Sequence, residues 1–321
     1  MMARPTEVAI VAFGLEHCKR GVEAHARMLF EKLKLEPGIS VSLIKGSGKR
    51  RKDEVVLSVP KRHTWLNRFL GKLRGYNIYW EQVFFMIRLF FYLVQNAREL
   101  DYIYTQEYVH MVGLGRLKKV FGWSYDLVYC EGFVSKSETR LIHADILQEV
   151  NKTNFDYICP KAESVGKPCH LIPHFFDPIW EDSRQDAPIL NEIQYFKGDK
   201  RMLLYVGPTE LEEKNFERIE EAVQNLGDGW CLLVCGDMDP ERLERMNKET
   251  GCMTKSVYVA HDIMQRIYPM ADLFVLPSVD EAFGIATIEA MGHGIPVLLH
   301  HSAHSLWLCN DTEQCTDMTR P

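Results

Sequence analysis

The sequence predicts an α/β protein of two parallel-sheet domains, and three observations predict it. Short apolar runs alternate with longer mixed segments along most of the chain, the pattern of strands and crossover helices in a parallel sheet. The alternation breaks across 178–200, where Pro188 falls among dense charge, and then resumes. The 321 residues, 46% hydrophobic and 26% charged, suffice for two cores of ordinary globular composition. Domains are therefore expected at 1–177 and 201–321, with 178–200 as linker.

In the first half, Val8-Ala-Ile-Val-Ala12 is a continuous apolar run, so 8–13 reads as a strand buried on both faces. Strands are likewise expected at 39–44, 55–59, 102–105, 127–130, 157–159 and 170–172. Helical patterns fill the gaps at 22–34, 78–97, 111–121 and 136–152. The stretch from Val83 to Val94 is too short to span a bilayer and carries Arg88 at its middle, which makes it a buried or interfacial helix. In the second half, strands at 202–206, 231–234, 256–259, 273–276 and 297–299 alternate with helices at 215–226, 240–250, 263–270 and 285–291. Residues 302–321 show no clear periodicity.

Charge is spread unevenly. Residues 1–180 carry 26 Lys and Arg against 19 Asp and Glu, whereas residues 181–321 carry 12 against 25. The first half is thus expected to face something anionic. Ten basic and two acidic residues fall between Lys45 and Arg74, with Trp65, Leu66, Phe69, Leu70 and Leu73 interleaved at helical spacing. Basic residues with aromatic anchors across 45–80 suit an anionic membrane surface, at about 1 kcal/mol for each Lys or Arg. A solvated loop followed by a helix packed on its own domain is the alternative. No base-reading motif speaks for nucleic acid. Nine cysteines without framework spacing, several in apolar runs, argue for reduced thiols in a cytoplasmic setting. The chain enters its first strand with no cleavable signal peptide before it. The expected location is cytoplasmic and peripheral on the membrane.

The motif that carries chemistry is Glu281-Ala-Phe-Gly-Ile-Ala-Thr-Ile-Glu289, preceded by the buried-strand pattern Ala271-Asp-Leu-Phe-Val-Leu-Pro-Ser278. A helix starting near Phe283 presents free N–H groups and a positive dipole end, a ready site for a diphosphate. If helical throughout, Glu281 and Glu289 lie roughly 12 Å apart, about the span from a sugar across a diphosphate to a ribose.

At these residues the sequence resembles the family 4 retaining glycosyltransferases, the glycosyl transferases group 1, and the match continues through Met291-Gly-His-Gly-Ile-Pro-Val297. The resemblance covers about residues 169–300 well and 5–35 more loosely. It implies the GT-B fold, two Rossmann-like domains facing a central cleft. The first would take the acceptor and the second a nucleotide sugar. It also implies a retaining, metal-independent hexosyltransferase without a cofactor, acting on a glycan, glycolipid or lipid-linked acceptor. Glu281 would hold the donor sugar, and Lys214 with the N–H groups near Phe283, Gly284 and Ile285 would stabilise the leaving diphosphate. Glu289 would hold the ribose, and Gly207 and Thr209 would line the phosphate loop.

Several positions depart from the family pattern. Pro208-Thr209 stands where the family has an Arg, and only Gly21, beside Arg20, remains of a glycine pair before the first helix. The slot of a cleft histidine after the fourth strand reads Tyr104-Thr105-Gln106-Glu107-Tyr108-Val109-His110, which leaves Glu107 and His110 as candidates. Asp237-Met-Asp239 imitates a metal clamp but fits a strand-loop beside the nucleotide, and His300, His301 and His304 lack dependable ligand spacing. Beyond Val297 the family's further Gly-rich loop and helices are not recognisable, so the second domain reads as shortened. These departures sustain a rival reading, a GT-B-shaped binding or scaffold protein without turnover. A sugar-nucleotide epimerase is a third.

Overall fold

The computed structural model describes residues 4–18, 21–59, 77–176 and 188–319. The chain divides into two compact units, Met1–His174 and Phe175–Pro321. Both are Rossmann-like, with wholly parallel sheets of seven and six strands.

In the first unit the strands are β1 (Thr6–Val11), β2 (Ile39–Lys45), β3 (Glu54–Val56), β4 (Tyr102–Thr105), β5 (Asp126–Glu131), β6 (Ile146–Glu149) and β7 (Cys169–Leu171). Their spatial order is β3-β2-β1-β4-β5-β6-β7. The chain winds outward from β1 one way and then returns to wind the other way from β4. That reversal places a topological switch point between the C-terminal ends of β1 and β4, where open α/β sheets bind ligands. The helices are α1 (Gly21–Leu33), α2 (Asn77–Asn96), α3 (Tyr108–Phe121), α4 (Thr139–His143) and α5 (Lys152–Ser164). Ile10, Leu43, Ile103, Leu127 and Leu147 are wholly buried, each worth about 1.5–3 kcal/mol of apolar burial.

The second unit opens with α6 (Pro188–Lys197) inside the stretch read as linker, with Ile193 fully buried in its core. Strands β8 (Arg201–Val206), β9 (Trp230–Cys235), β10 (Met253–Val257), β11 (Leu273–Leu276), β12 (Val297–His300) and β13 (Cys315–Thr316) lie in the order β10-β9-β8-β11-β12-β13. The switch point here lies between β8 and β11. Helices α7 (Glu217–Val223), α8 (Pro240–Glu249), α9 (His261–Ile267), α10 (Ile285–Gly292) and α11 (Ala303–Cys309) complete it.

Three element readings change. Residues 157–159 lie inside α5, which Asn151 caps by accepting from the Thr153 and Asn154 N–H groups at 2.8 and 3.2 Å. The expected helix at 136–152 divides into α4 and β6. The C-terminal stretch forms α11 and β13, with Ser302 capping the helix by accepting from the Ser305 N–H at 3.0 Å.

Most of the basic segment, residues 60–76 with Trp65 and its neighbours, lies outside the described residues. Lys45 does not belong to a surface: it is fully buried, with Nζ 2.5 Å from Glu16 and 2.6 Å from Glu54. All nine cysteines are free thiols.

Candidate active site

The loops that follow β8 and β11 converge at the second switch point, and the backbone ties them together. After β8, Tyr205 donates its hydroxyl to the Pro208 carbonyl at 2.8 Å. The chain then passes a short 3-10 turn at Glu212–Lys214 and reaches Asn215 in a left-handed conformation, φ 51°. The Asn215 side-chain amide donates to the carbonyls of Pro277 (3.3 Å) and Met318 (3.0 Å). Val279 N–H donates to the Glu213 carbonyl at 3.0 Å. This stitching brings Lys214 Nζ to 2.8 Å from Glu281 Oε2, both side chains about one-fifth exposed. Two residues far apart in sequence, singled out separately, thus form one ion pair.

Three residues beyond Glu281, Gly284 is the N-cap of α10 with φ 79°. A side chain there is strained, and its Cβ would lie 3.2 Å from Thr287 Oγ1. The helix begins at Ile285 rather than Phe283, so the span from Glu281 to Glu289 is not helical throughout. No side chain caps the helix; its first N–H groups and their positive dipole end remain an anion site. Phe283 is buried, and its carbonyl accepts from His304 Nε2 at 2.9 Å. Burial lowers the His304 pKa, which keeps the imidazole neutral in that role.

Two hydroxyls flank the helix start, Ser278 and Thr287, 6% and 1% exposed. Among the described residues neither side-chain oxygen has a hydrogen-bond partner. Buried unsatisfied hydroxyls cost about 1–3 kcal/mol each.

Glu289 is built differently from expectation. It is 3% exposed; Tyr268 donates its hydroxyl to one oxygen and His261 Nε2 lies against the other, both at 2.6 Å. Burial and the Glu289 charge push the Tyr268 pKa well up, so it stays a donor. A ribose diol would share this carboxylate with His261, whose side chain is 47% exposed.

Thr209 is likewise committed: 1% exposed, it donates its hydroxyl to the Asp237 carbonyl at 3.1 Å. Gly207 (φ 149°) passes so close to Gly236 that a Cβ on Gly236 would lie 2.0 Å from the Gly207 carbonyl oxygen. Arg242 lies near this loop, its guanidinium bonded to the Thr209 carbonyl (2.8 Å) and to Glu220 (2.7 and 3.0 Å), over the Phe216 ring. Its hydrogen bonds to Glu220 raise its pKa further. Its charge is neutralised in place, so Arg242 braces the loop.

In the first unit, a small pocket at the β1–β4 switch point is lined by Gly14, Glu23, Gln106 and Glu107. Glu107 precedes α3, and its Oε2 accepts from Gln82 at 2.9 Å. His110 is core, wholly buried with its ring 5.4 Å from Phe13 and 5.1 Å from Phe85. That packing overturns its reading as a cleft residue. Gly21 is exposed at the start of α1, and Arg20 lies outside the described residues. His17, which the sequence reading passed over, lies 3.0 Å from Glu81 and 2.7 Å from Ser47. Burial pushes its pKa down, but contacts with Cys18 and Glu81 prevail and raise it to about 9.

Sequence reasoning missed Ser278, Thr287, His261 and His304 as site groups. Ser278 and Thr287 were visible inside the quoted motif, whereas the roles of His261 and His304 depend on tertiary partners. Among the described residues no group of three or more His, Cys, Asp or Glu side chains is placed to hold a metal ion.

Comparison with known proteins places this geometry. Residues 200–312 match the family model described as Glycosyl transferases group 1. Over 126 residues the chain is 29% identical to an uncharacterized glycosyltransferase of Methanocaldococcus jannaschii. That match covers 34% of this chain and 32% of the relative, about a third of its length. Among solved structures, sucrose-phosphate synthase from Thermosynechococcus elongatus superposes with a TM-score of 0.69 at 17% identity, covering 98% of this chain and 86% of that one. The Anabaena protein HepE in complex with UDP-glucose gives 0.64 at 16% identity, covering 94% and 82%. The chain thus has the fold of the GT-B glycosyltransferases, and its second unit carries the match to Glycosyl transferases group 1.

Proposed function

We propose that this chain is a retaining, metal-independent glycosyltransferase that moves a hexosyl group from a nucleoside-diphosphate sugar to a glycan, glycolipid or lipid-linked acceptor. The observation that carries the reading is the Lys214–Glu281 ion pair beside the start of α10, opened by Gly284 and flanked by the unsatisfied Ser278 and Thr287 hydroxyls. Glu281 accepts hydrogen bonds from the donor sugar, and Lys214 lies 2.8 Å from it. As the bond between the anomeric carbon and the phosphate oxygen breaks, charge grows on the diphosphate. Lys214 and the α10 N–H groups stabilise that charge in place. The leaving phosphate oxygen takes the acceptor proton on the face it departs from, so the new bond forms with retention. The HepE complex makes UDP-glucose the first donor to test.

The test is donor turnover by the purified chain, followed by NMR over a panel of UDP-, GDP- and ADP-sugars, with Glu281→Ala alongside. Nucleoside diphosphate released from one donor, lost in the variant and indifferent to a chelator, is the expected result. A product of inverted anomeric configuration, or activity restored only by added metal, would refute the mechanism.

Two observations favour the rival: Glu289 is already satisfied by His261 and Tyr268, and Arg242 is spent on Glu220. A nucleotide-sugar-binding protein without turnover would bind UDP-glucose stoichiometrically and release no sugar.

A further inference from the structure

Helix α2 is apolar on both faces. Its inner face, Phe85, Leu89 and Leu93, is wholly buried in the first unit's core. Its outer face should be polar by the usual logic of an amphipathic helix. Instead Ile87, Phe91 and Val94, spaced four and three residues apart, are 49, 64 and 56% exposed. The patch continues onto the end of α3, where Val120 and Phe121 are 75 and 50% exposed. Phe90 links the two parts, its ring 5.3 Å from Phe91 and 5.4 Å from Phe121. Single exposed apolar residues need no explanation, but a contiguous aromatic patch marks an interaction surface.

The charge around it selects the partner. On α2 the exposed charged residue is Arg88; near the ends of α2 and α3 Arg98 and Lys119 lie exposed, against one exposed acid, Glu99. Glu81, the acid of α2, is buried and faces His17. A second copy of the chain packed face to face would bring these cations together, which is unfavourable. A bilayer with anionic headgroups meets both features: aromatic and aliphatic side chains enter the headgroup–acyl boundary while the cations meet lipid phosphates. The inner face of α2 is held in the core, so the helix lies along such a surface.

We propose that the outer face of α2, Ile87, Phe91 and Val94, continued by Val120 and Phe121, seats the first unit on an anionic lipid bilayer. The contact is distinct from the basic segment alone and independent of the donor reading.

The test is co-sedimentation of the full chain with vesicles of phosphatidylcholine alone or mixed equally with phosphatidylglycerol. The wild type partitions onto the mixed vesicles and is released by salt. Phe91→Glu lowers that partition about tenfold or more, with an unchanged melting temperature because the side chain projects from the fold. Arg88→Glu lowers it less and flattens the salt dependence. No binding to mixed vesicles overturns the proposal. Binding unaffected by Phe91→Glu overturns it too, because another segment would then make the contact. So does a self-association in sedimentation velocity that Phe91→Glu abolishes, which would make a second copy the occupant.

Discussion

Replacing Thr287 by Val separates a ligand-binding role from a structural one by the sign of two effects. The side chains are nearly isosteric, both are β-branched, and the position lies in the first turn of α10, so packing is preserved. What changes is the hydroxyl, 1% exposed and without a partner in the unliganded protein. Its burial costs about 1–3 kcal/mol, and Val recovers part of that, raising the melting temperature by about 2–4 °C. On the proposed reading, the same hydroxyl would donate to a phosphate oxygen of the bound donor, a charge-assisted bond worth about 1.5–3 kcal/mol. The variant should therefore melt higher alone yet bind UDP-glucose about tenfold or more weakly by calorimetry, with KM rising in parallel. A higher melting temperature with unchanged donor affinity would refute the reasoning, since the hydroxyl would then be merely a tolerated defect.

Lys214→Gln removes the cation that the proposed mechanism sets beside the leaving group. At an effective dielectric near 20 a unit charge about 4 Å away contributes about 4 kcal/mol, and partial solvent screening leaves a fall in kcat of about 100-fold. The ion pair is partly exposed and holds little stability, about 0–1 kcal/mol, so the melting point should barely move; a fivefold or smaller loss of kcat would count against Lys214. Gly284→Val forces a β-branched residue into φ 79° and should lower stability by about 1–3 kcal/mol in urea unfolding, with a raised donor KM; an unperturbed variant would mean the turn relaxes freely. In the first unit, burial lowers the His25 pKa to about 4, and burial with the charge of His25 lowers that of His174 to about 3. Their stabilisation is complete above the unfolded value of about 6.5 and is lost as pH falls toward the folded values. By pH 5 His25 alone should cost about 2 kcal/mol; equal pH slopes in wild type and His25→Leu melting would sink that account.

The strands were largely legible because parallel strands buried on both faces read as unbroken apolar runs, as in 202–206 and 273–276. Strand β6 was not, since Ile146-Leu-Gln-Glu149 contains only two apolar residues, and α5 was obscured by the apolar cluster Tyr157-Ile-Cys159 just before Pro160. At the candidate site, Glu281 was singled out from motif and spacing, and Lys214 and Gly284 through the family resemblance. What escaped was every property set by a partner distant in sequence. Tyr268 and His261 close over Glu289 from 21 and 28 residues away. Phe13 and Phe85 seal His110 into the core, and Glu54 and Glu16 draw Lys45 inside. Periodicity reports which face a side chain occupies along its own element, not what another element brings to meet it.

The carbonyl of Met318 accepts from both Asn215 (3.0 Å) and Arg218 (2.8 Å), so the loop bearing Lys214 hangs from a peg about a hundred residues downstream. A frameshift or stop codon just before Met318 would spare every residue of the Glu281 motif and still remove one of the ties that hold the Lys214 loop. In a genetic screen such a lesion would pass for a catalytic mutation, although no catalytic residue had been touched.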